Sequence, residues 1–298
     1  MPKAAFYGKI KQILADFMLI NGRKIADKIN KATARKMAAL RRRGLKPKIF
    51  VFLVGHRPES EVYVRQKARL ARHLGFEFEL VRFDAKAKEK DVIKKINAVQ
   101  RQRGTVGLIV QLPLPSKMSA DNILSKIFPD FDIDCLTDAN LGRLVSGRPG
   151  LEPPTAGAVL EILRALKIKL AGKKIALIGA GLLVGRPLAL ILAGSQATIT
   201  VCNSTTRDLK KICLSSDIII SGAGKKNLIK PAMVRRGAIV IDAGFSFGRA
   251  GAFGDADVSG LDKKGVRVTP TPGGVGPITV ANLMRNAAVC AENKFNKQ

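Results

Sequence analysis

Histidine and cysteine are scarce in this chain, and acidic residues are outnumbered more than two to one. Only His56 and His73 are present, and the four cysteines (Cys135, Cys202, Cys213, Cys290) are far apart with no C-x-x-C pair. These counts argue against a disulfide framework and against a His/Cys metal site, so no metal is expected and a reducing cytoplasm fits. No apolar run approaches the length of a membrane span, and no charged-apolar-small signal opens the chain, so no membrane partner is expected. What remains is globular: 298 residues, 46% hydrophobic and 25% charged, enough for about two domains with sizeable cores.

The shortage of acid leaves 52 Lys+Arg against 23 Asp+Glu, a formal +29. Such a surface attracts polyanions, nucleic acid and polyglutamylated small molecules included. The basic residues are spread over the chain, however, and the longest arginine run is Arg41-Arg42-Arg43. No basic cluster is interleaved with stacking aromatics. Compositional bias therefore stands ahead of a nucleic-acid partner.

The chain is organised around residues 173–187. An apolar run at 175–178 has the character of a buried parallel strand and ends in Gly179, Ala180, Gly181 and, four residues on, Gly185, before a helix opens near Pro187. Glycines allow a sharp turn and close approach of a pyrophosphate, which free N–H groups and the helix N-terminus then meet. The spacing is one residue longer than G-x-G-x-x-G, and an ordinary strand-to-helix turn is the competing reading.

Elsewhere, apolar and charged periodicity predicts helices over 22–43, 60–74, 90–99 and 156–166, and strands over 48–54, 76–83, 106–110, 197–201, 218–220 and 239–241. Residues 1–17 carry a helical apolar stripe without arginine or serine, which favours an extra packing helix over a mitochondrial presequence. Met233, Arg235 and Arg236 read as part of a helix between the last two strands. Alternation of strand and helix predicts an α/β fold with a doubly wound second domain. Its second strand ends without an Asp or Glu and runs into Ser204, Thr205, Thr206 and Arg207. Hydroxyls and a guanidinium suit a 2′-phosphate, which favours NADP, with NAD not excluded. Residues 269–279, rich in Pro and Gly, read as neither helix nor central strand but as a rigid loop lying against a flat ligand, with an interdomain linker as the alternative.

Five motifs now stand in order: Tyr63-Val64-Arg65-Gln66-Lys67, Val110 through Pro115 (VQLPLP), Asp132-Ile133-Asp134, Val184-Gly185-Arg186-Pro187 and Pro272 through Pro277 (PGGVGP). Together they resemble the bifunctional methylenetetrahydrofolate dehydrogenase/methenyltetrahydrofolate cyclohydrolase family over roughly residues 18–286. The resemblance implies an N-terminal three-layer α/β catalytic domain (1–152, completed by a helix over 277–298), a Rossmann-type NADP-binding domain (153–276) and an active cleft between them. It implies oxidation of methylene-tetrahydrofolate with NADP and hydrolysis of the methenyl product to formyl-tetrahydrofolate, in the one-carbon metabolism that feeds purine biosynthesis. It also implies a homodimer joined through the second domain.

Roles carry over position by position. Lys67 matches the catalytic lysine of the cyclohydrolase step, Gln111 the residue beside it, Tyr63 the tyrosine that stacks on the folate, and Asp134 the carboxylate on the pterin edge. Ser60, Pro272, Gly273 and Gly274 match substrate-side positions. Gly179, Ala180, Gly181 and Gly185 match the pyrophosphate turn, Ser204 a phosphate or ribose contact, and Phe245 the nicotinamide side, while Arg207 is a cofactor candidate on its guanidinium alone. The bland readings are a solvated helix lysine for Lys67, a helix cap for Ser60, and a loop Asp for Asp134, with Asp132 the better cap. Ala180 and Gly181 stand where the family usually has arginine and serine, Cys135 where glycine is usual, Asn203 where histidine is common, and Pro154 and Ala156 where Cys and Pro flank Thr155. Three alternatives follow: a cyclohydrolase with an impaired dehydrogenase, another two-domain NADP dehydrogenase, and a basic nucleic-acid-binding protein on a degenerate scaffold.

Overall fold

Buried strands that read as unbroken apolar runs become the centres of two parallel sheets. The structure, a computed structural model, describes residues 19–148, 150–248 and 251–296, so the helix expected over 1–17 lies outside the described residues. The described residues form two compact units, one within residues 26–154 and 279–296, the other within residues 19–25 and 155–278.

The first unit begins in α1 (Gly22–Arg42) and continues through β1 (Lys48–Val54), α2 (Pro58–His73), β2 (Glu77–Phe83), α3 (Glu89–Gln100) and β3 (Thr105–Val110). Two short helices, α4 (Ala120–Leu124) and α5 (Asp138–Val145), follow. The sheet order is β2-β1-β3, all parallel. Burial on both faces explains why every residue of β1 after Lys48 is apolar. Ile49, Val51 and Leu53 pack with Met37 and Leu40 of α1, Val64 and Ala71 of α2, and Leu283, Met284 and Ala287 from the C-terminal helix. Phe50 and Phe52 point to the opposite face and are equally buried.

The second unit runs through α6 (Pro154–Ala165), β4 (Lys174–Ile178), α7 (Gly185–Ala193), β5 (Thr198–Cys202), α8 (Leu209–Leu214), β6 (Ile218–Ser221) and β7 (Ile239–Asp242). A hairpin of β8 (Ser246–Gly248) and β9 (Gly251–Phe253), then α9 (Val258–Lys263) and β10 (Arg267–Val268), lead to α10 (Val275–Asn296), which re-enters the first unit. The five-stranded parallel sheet has the order β10-β7-β6-β4-β5. Strand order reverses at β4, so the carboxyl end of β4 is the switch point where open α/β sheets bind ligands.

Two expectations are corrected. Residues 231–236 are not a helix: only Pro231–Met233 forms a 3-10 turn, and Gly237 at φ +78 follows the extended Val234. Arg235 instead donates its Nε to Ser216 O at 3.1 Å and pairs with Asp217. Val275, Gly276 and Pro277 are helical, the start of α10, because a first-turn proline lacks only an N–H that has no helical partner there. Among the described residues, no helix is long and apolar enough to cross a membrane.

Candidate functional site

In the first unit, candidate residues gather at the carboxyl ends of β1 and β3. Helix α2 opens two residues after the turn at Gly55 and His56, with Pro58 in its first turn and Arg57 at the N-cap without a side-chain cap bond. Ser60 is therefore inside the helix and is not its cap. Ser60, Tyr63 and Lys67 follow at i, i+3 and i+7, one face of the helix. Ser60 and Lys67 are buried, Lys67 at 9% exposure, and Tyr63 is half-buried.

An isolated buried ammonium would be costly, so its partner matters. Lys67 Nζ donates to Gln111 Oε1 at 3.1 Å, and Gln111 Nε2 donates to Leu112 O at 3.0 Å, which fixes the amide's orientation. Gln111 is itself fixed, since its backbone N–H extends the sheet by donating to Phe52 O at 2.9 Å. The turn after it contains a cis Leu112–Pro113 bond.

Asp134 enters from the loop after Pro129–Phe131 and lies within electrostatic reach of Lys67. Burial pushes its carboxyl above the usual range, Lys67 pulls it back and Asp132 adds to the rise. Burial likewise raises the Tyr63 phenol. The loop is anchored from several sides. Asp132 accepts from Leu136 N at 3.1 Å, Thr137 N at 2.8 Å and Asn140 Nδ2 at 3.0 Å. Asn286 of α10 donates Nδ2 to Ile133 O at 2.9 Å and to Glu152 O at 2.8 Å. Cys135 sits at φ +56, the left-handed conformation that favours glycine. Burial raises the Cys135 thiol to about 12, and it donates to Leu151 O at 3.2 Å.

In the second unit, the turn after β4 demands glycine at two positions. A Cβ on Gly179, which is at φ +100, would stand 2.8 Å from Gly222 O, and one on Gly185 would stand 1.9 Å from Gly179 O. A Cβ on Gly181 would meet nothing within 4 Å, so bare backbone there borders open space. Arg186 braces the turn by donating Nε to Ala180 O at 3.1 Å and its backbone N–H to Gly181 O at 3.1 Å. Helix α7 starts at Gly185 with no side-chain cap bond; Arg186 N and Leu188 N are taken by Gly181 O and Val184 O and Pro187 has no N–H, so an anion there meets the positive end of the helix rather than a row of free N–H groups. This combination fits a dinucleotide pyrophosphate.

Beyond the buried Cys202, Asn203 Oδ1 accepts from Thr205 N at 3.0 Å and Thr205 Oγ1 at 2.7 Å, while Thr206 Oγ1 accepts from Asn203 N at 2.9 Å. This ordered turn leaves Ser204 and Arg207 exposed. Phe245 follows β7 and meets Phe247 edge to face, ring centroids 5.4 Å apart. Pro272, Gly273 and Gly274 belong to this unit. Gly273 O accepts from Gly22 N at 3.0 Å, and Gly273 is at φ +108.

Sequence reading missed two buried aspartates behind that ligand side. Asp255 accepts from Ser221 Oγ at 2.6 Å, Ala223 N at 2.7 Å and Lys225 N at 2.7 Å. Asp242 accepts from Gly244 N at 2.9 Å and Ala256 N at 2.8 Å. Gly244 and Gly254 are the local signal for them: a Cβ at Gly244 would strike Asp255, and one at Gly254 would strike Asp242.

Comparison with known proteins agrees with both halves. The sequence model of the tetrahydrofolate dehydrogenase/cyclohydrolase catalytic domain matches residues 20–134, and that of the family's NAD(P)-binding domain matches residues 153–295. The chain is 36% identical over 275 residues to the bifunctional protein FolD of Polaromonas naphthalenivorans, covering 92% of this chain and 98% of that one. It is 38% identical over 275 residues to the FolD of Ralstonia pickettii, covering 92% and 95%. Among solved structures, the bifunctional FolD methylenetetrahydrofolate dehydrogenase/cyclohydrolase of Campylobacter jejuni superposes with a TM-score of 0.88 at 35% identity, covering 93% of this chain and 99% of that one. The Trypanosoma brucei enzyme, solved with NADP cofactor and inhibitor, superposes with a TM-score of 0.88 at 33% identity, covering 93% and 98%.

Proposed function

The chain belongs to the tetrahydrofolate dehydrogenase/cyclohydrolase family, and from that membership we propose how its residues divide the work. The enzyme oxidises methylene-tetrahydrofolate to methenyl-tetrahydrofolate and hydrolyses the methenyl product to formyl-tetrahydrofolate. The observation that carries our assignment is the buried Lys67 ammonium on Gln111 Oε1 at 3.1 Å, beside Asp134.

Lys67 steers the attacking water and handles its proton, and Gln111 fixes where Nζ points. The Gln111 amide oxygen accepts from Nζ in its amine or its ammonium form, so Lys67 as the amine can take the proton that the attacking water releases and become the ammonium without losing its place. Asp134 accepts from the N–H edge of the pterin, and its burial strengthens that bond. Tyr63 supplies a stacking surface, and Ser60 a hydroxyl on the same helix face. Pro272, Gly273 and Gly274 present backbone to the folate.

The dinucleotide supplies a hydride acceptor when bound. Gly179, Ala180, Gly181 and Gly185 seat its pyrophosphate, Phe245 lines the nicotinamide side, and Ser204 and Arg207 face the 2′-phosphate, which favours NADP over NAD. We assign the chain to the cytoplasm, since its four cysteines are free thiols, and its product to one-carbon supply for purine synthesis. It acts as a homodimer through the second unit.

The test is absorbance of the purified protein with methylene-tetrahydrofolate and either dinucleotide, read before and after acid returns formyl product to methenyl. Reduction with NADP and no methenyl build-up is expected. No reduction with either dinucleotide, beside hydrolysis of added methenyl-tetrahydrofolate, would leave a cyclohydrolase alone.

A further inference from the structure

The positive charge is less evenly spread than its total suggests. Residues 28–46 hold eight lysines and arginines and no acid, where an even spread of the chain's +29 would place about two net charges. All eight are exposed. Folding arranges them further. At 100° per residue, Lys28, Lys31, Arg35 and Arg42 of α1 fall within a sector of about 60°, a stripe about 21 Å long. Among the described residues no hydrogen bond or ion pair engages the side chains of these four. The neighbouring cations are more occupied: Lys36 pairs with Glu292 of α10 at 2.8 Å, and Arg43 donates to Asn296 Oδ1 at 3.3 Å.

The other face of α1 is committed to the core through Ile29, Met37 and Leu40, and no large exposed hydrophobic lies on this helix. A membrane-surface helix inserts an apolar face, and a protein interface is anchored by buried aromatic or aliphatic groups. Neither is on offer here. The stripe also carries no aromatic for base stacking. What it matches is a regularly spaced row of negative charges bound by charge alone.

We propose that the exposed face of α1 binds the phosphate backbone of nucleic acid without sequence preference, as a surface separate from the one-carbon chemistry. The residues that contact phosphate are Lys28, Lys31, Arg35 and Arg42. Binding is micromolar or weaker at physiological salt and falls steeply with added salt, as counterion release requires.

The test is fluorescence anisotropy of a labelled random-sequence DNA duplex between about 50 and 200 mM salt, with the intact enzyme. Two quadruple variants are compared: Lys28, Lys31, Arg35 and Arg42→Gln, and a charge-matched control, Lys86, Lys90, Lys94 and Lys117→Gln. Four lost phosphate contacts make the plot of log affinity against log salt shallower by about three to four, and weaken low-salt binding by at least tenfold. The control keeps the wild-type slope within one, and both variants keep wild-type cyclohydrolase activity, which shows that they fold. Equal weakening in both variants would mean that binding follows net charge, and the proposal fails. It also fails if wild type shows no binding at low salt, or if a polyglutamate peptide of equal charge binds more tightly than the duplex.

Discussion

At the scale of single residues, Lys67 is the side chain whose chemistry depends most on its setting. The same lysine on a solvated helix face would be a spectator, whereas here it is buried and its ammonium is fixed by Gln111. Lys67→Met keeps the volume and removes the charge, so the cyclohydrolase rate should fall by about 10²–10⁴-fold, the usual worth of a positioned proton-transfer group. Dehydrogenation should persist within a few-fold, so methenyl-tetrahydrofolate accumulates and its absorbance rises; equal loss of both activities would reject the assignment. Asp242 gives a second prediction, in pH. Burial, with the Asp255 charge behind it, outweighs three backbone N–H bonds and lifts the Asp242 carboxyl to about 6 from an ordinary 3.8. A folded-state value above the unfolded one means that the protonated form favours folding. Its contribution is therefore full below about pH 4 and is lost as pH rises to about 6. The stability difference between wild type and Asp242→Asn, from denaturant unfolding at a series of pH values, should shift by roughly 2 kcal/mol against wild type across that window. A difference that stays constant with pH would remove Asp242 as the source. Tyr63, Lys67, Gln111 and Asp134 were legible in the sequence because each sits in a short motif. Asp242, Asp255 and Asn286 were not, since most of their partners lie 14 to 153 residues away and only the fold brings them near.

At the scale of elements, the turn between β4 and α7 separates glycines the backbone needs from glycines a ligand needs. Gly185→Ala forces a Cβ to 1.9 Å from Gly179 O, and the turn must open or the helix shift. A loss of about 2–4 kcal/mol in unfolding free energy is expected, within the range for overpacked sites. Gly181→Ala meets open space at an unstrained φ, so stability should hold or rise by a few tenths of a kcal/mol. Dinucleotide affinity, read by titration of NADPH fluorescence, should still fall, because the added methyl occupies space that the pyrophosphate approaches. If both variants lose only stability, the turn is a packing feature and the cofactor assignment there fails. Elements buried on both faces were the easiest to read: β1, β3 and β4 are apolar runs because nothing polar could be satisfied between two helical layers. The short helices α4, α5 and α9 were missed because they are too short to show a period and are held by caps. Ser119 Oγ accepts from Asn122 N, Thr137 Oγ1 from Asn140 N, and Asp257 Oδ1 from Gly260 N. Those caps are the signal that a search for Ser, Thr or Asp at helix starts would have caught.

At the scale of the molecule, charge and apolar surface pull association in opposite directions. Six large hydrophobics are exposed among the described residues, and four of them, Leu183, Leu190, Val201 and Leu214, belong to the second unit between the β4–α7 turn and α8. Two of these, Val201 at 46% and Leu190 at 40%, lie on β5 and α7. Among the described residues, strand β5 is also an edge of the five-stranded sheet, paired only with β4. An exposed parallel edge carrying valine is a surface that proteins normally cover, and in the proposed homodimer a second copy would cover it by two-fold symmetry. Against this stands repulsion between two chains of formal charge +29 each. Added salt screens that repulsion, with a Debye length near 8 Å at about 0.15 M, and leaves apolar burial intact or strengthened. The dimer should therefore tighten as salt rises, the reverse of the salt response expected for the basic face of α1. Light scattering at micromolar protein should give the mass of two chains at moderate salt, and Leu190→Asp with Val201→Asp should give one, with Lys67-dependent hydrolysis retained. A single-chain mass for wild type under those conditions would reject the dimer, and a dimer that survives the double substitution would move the interface away from β5.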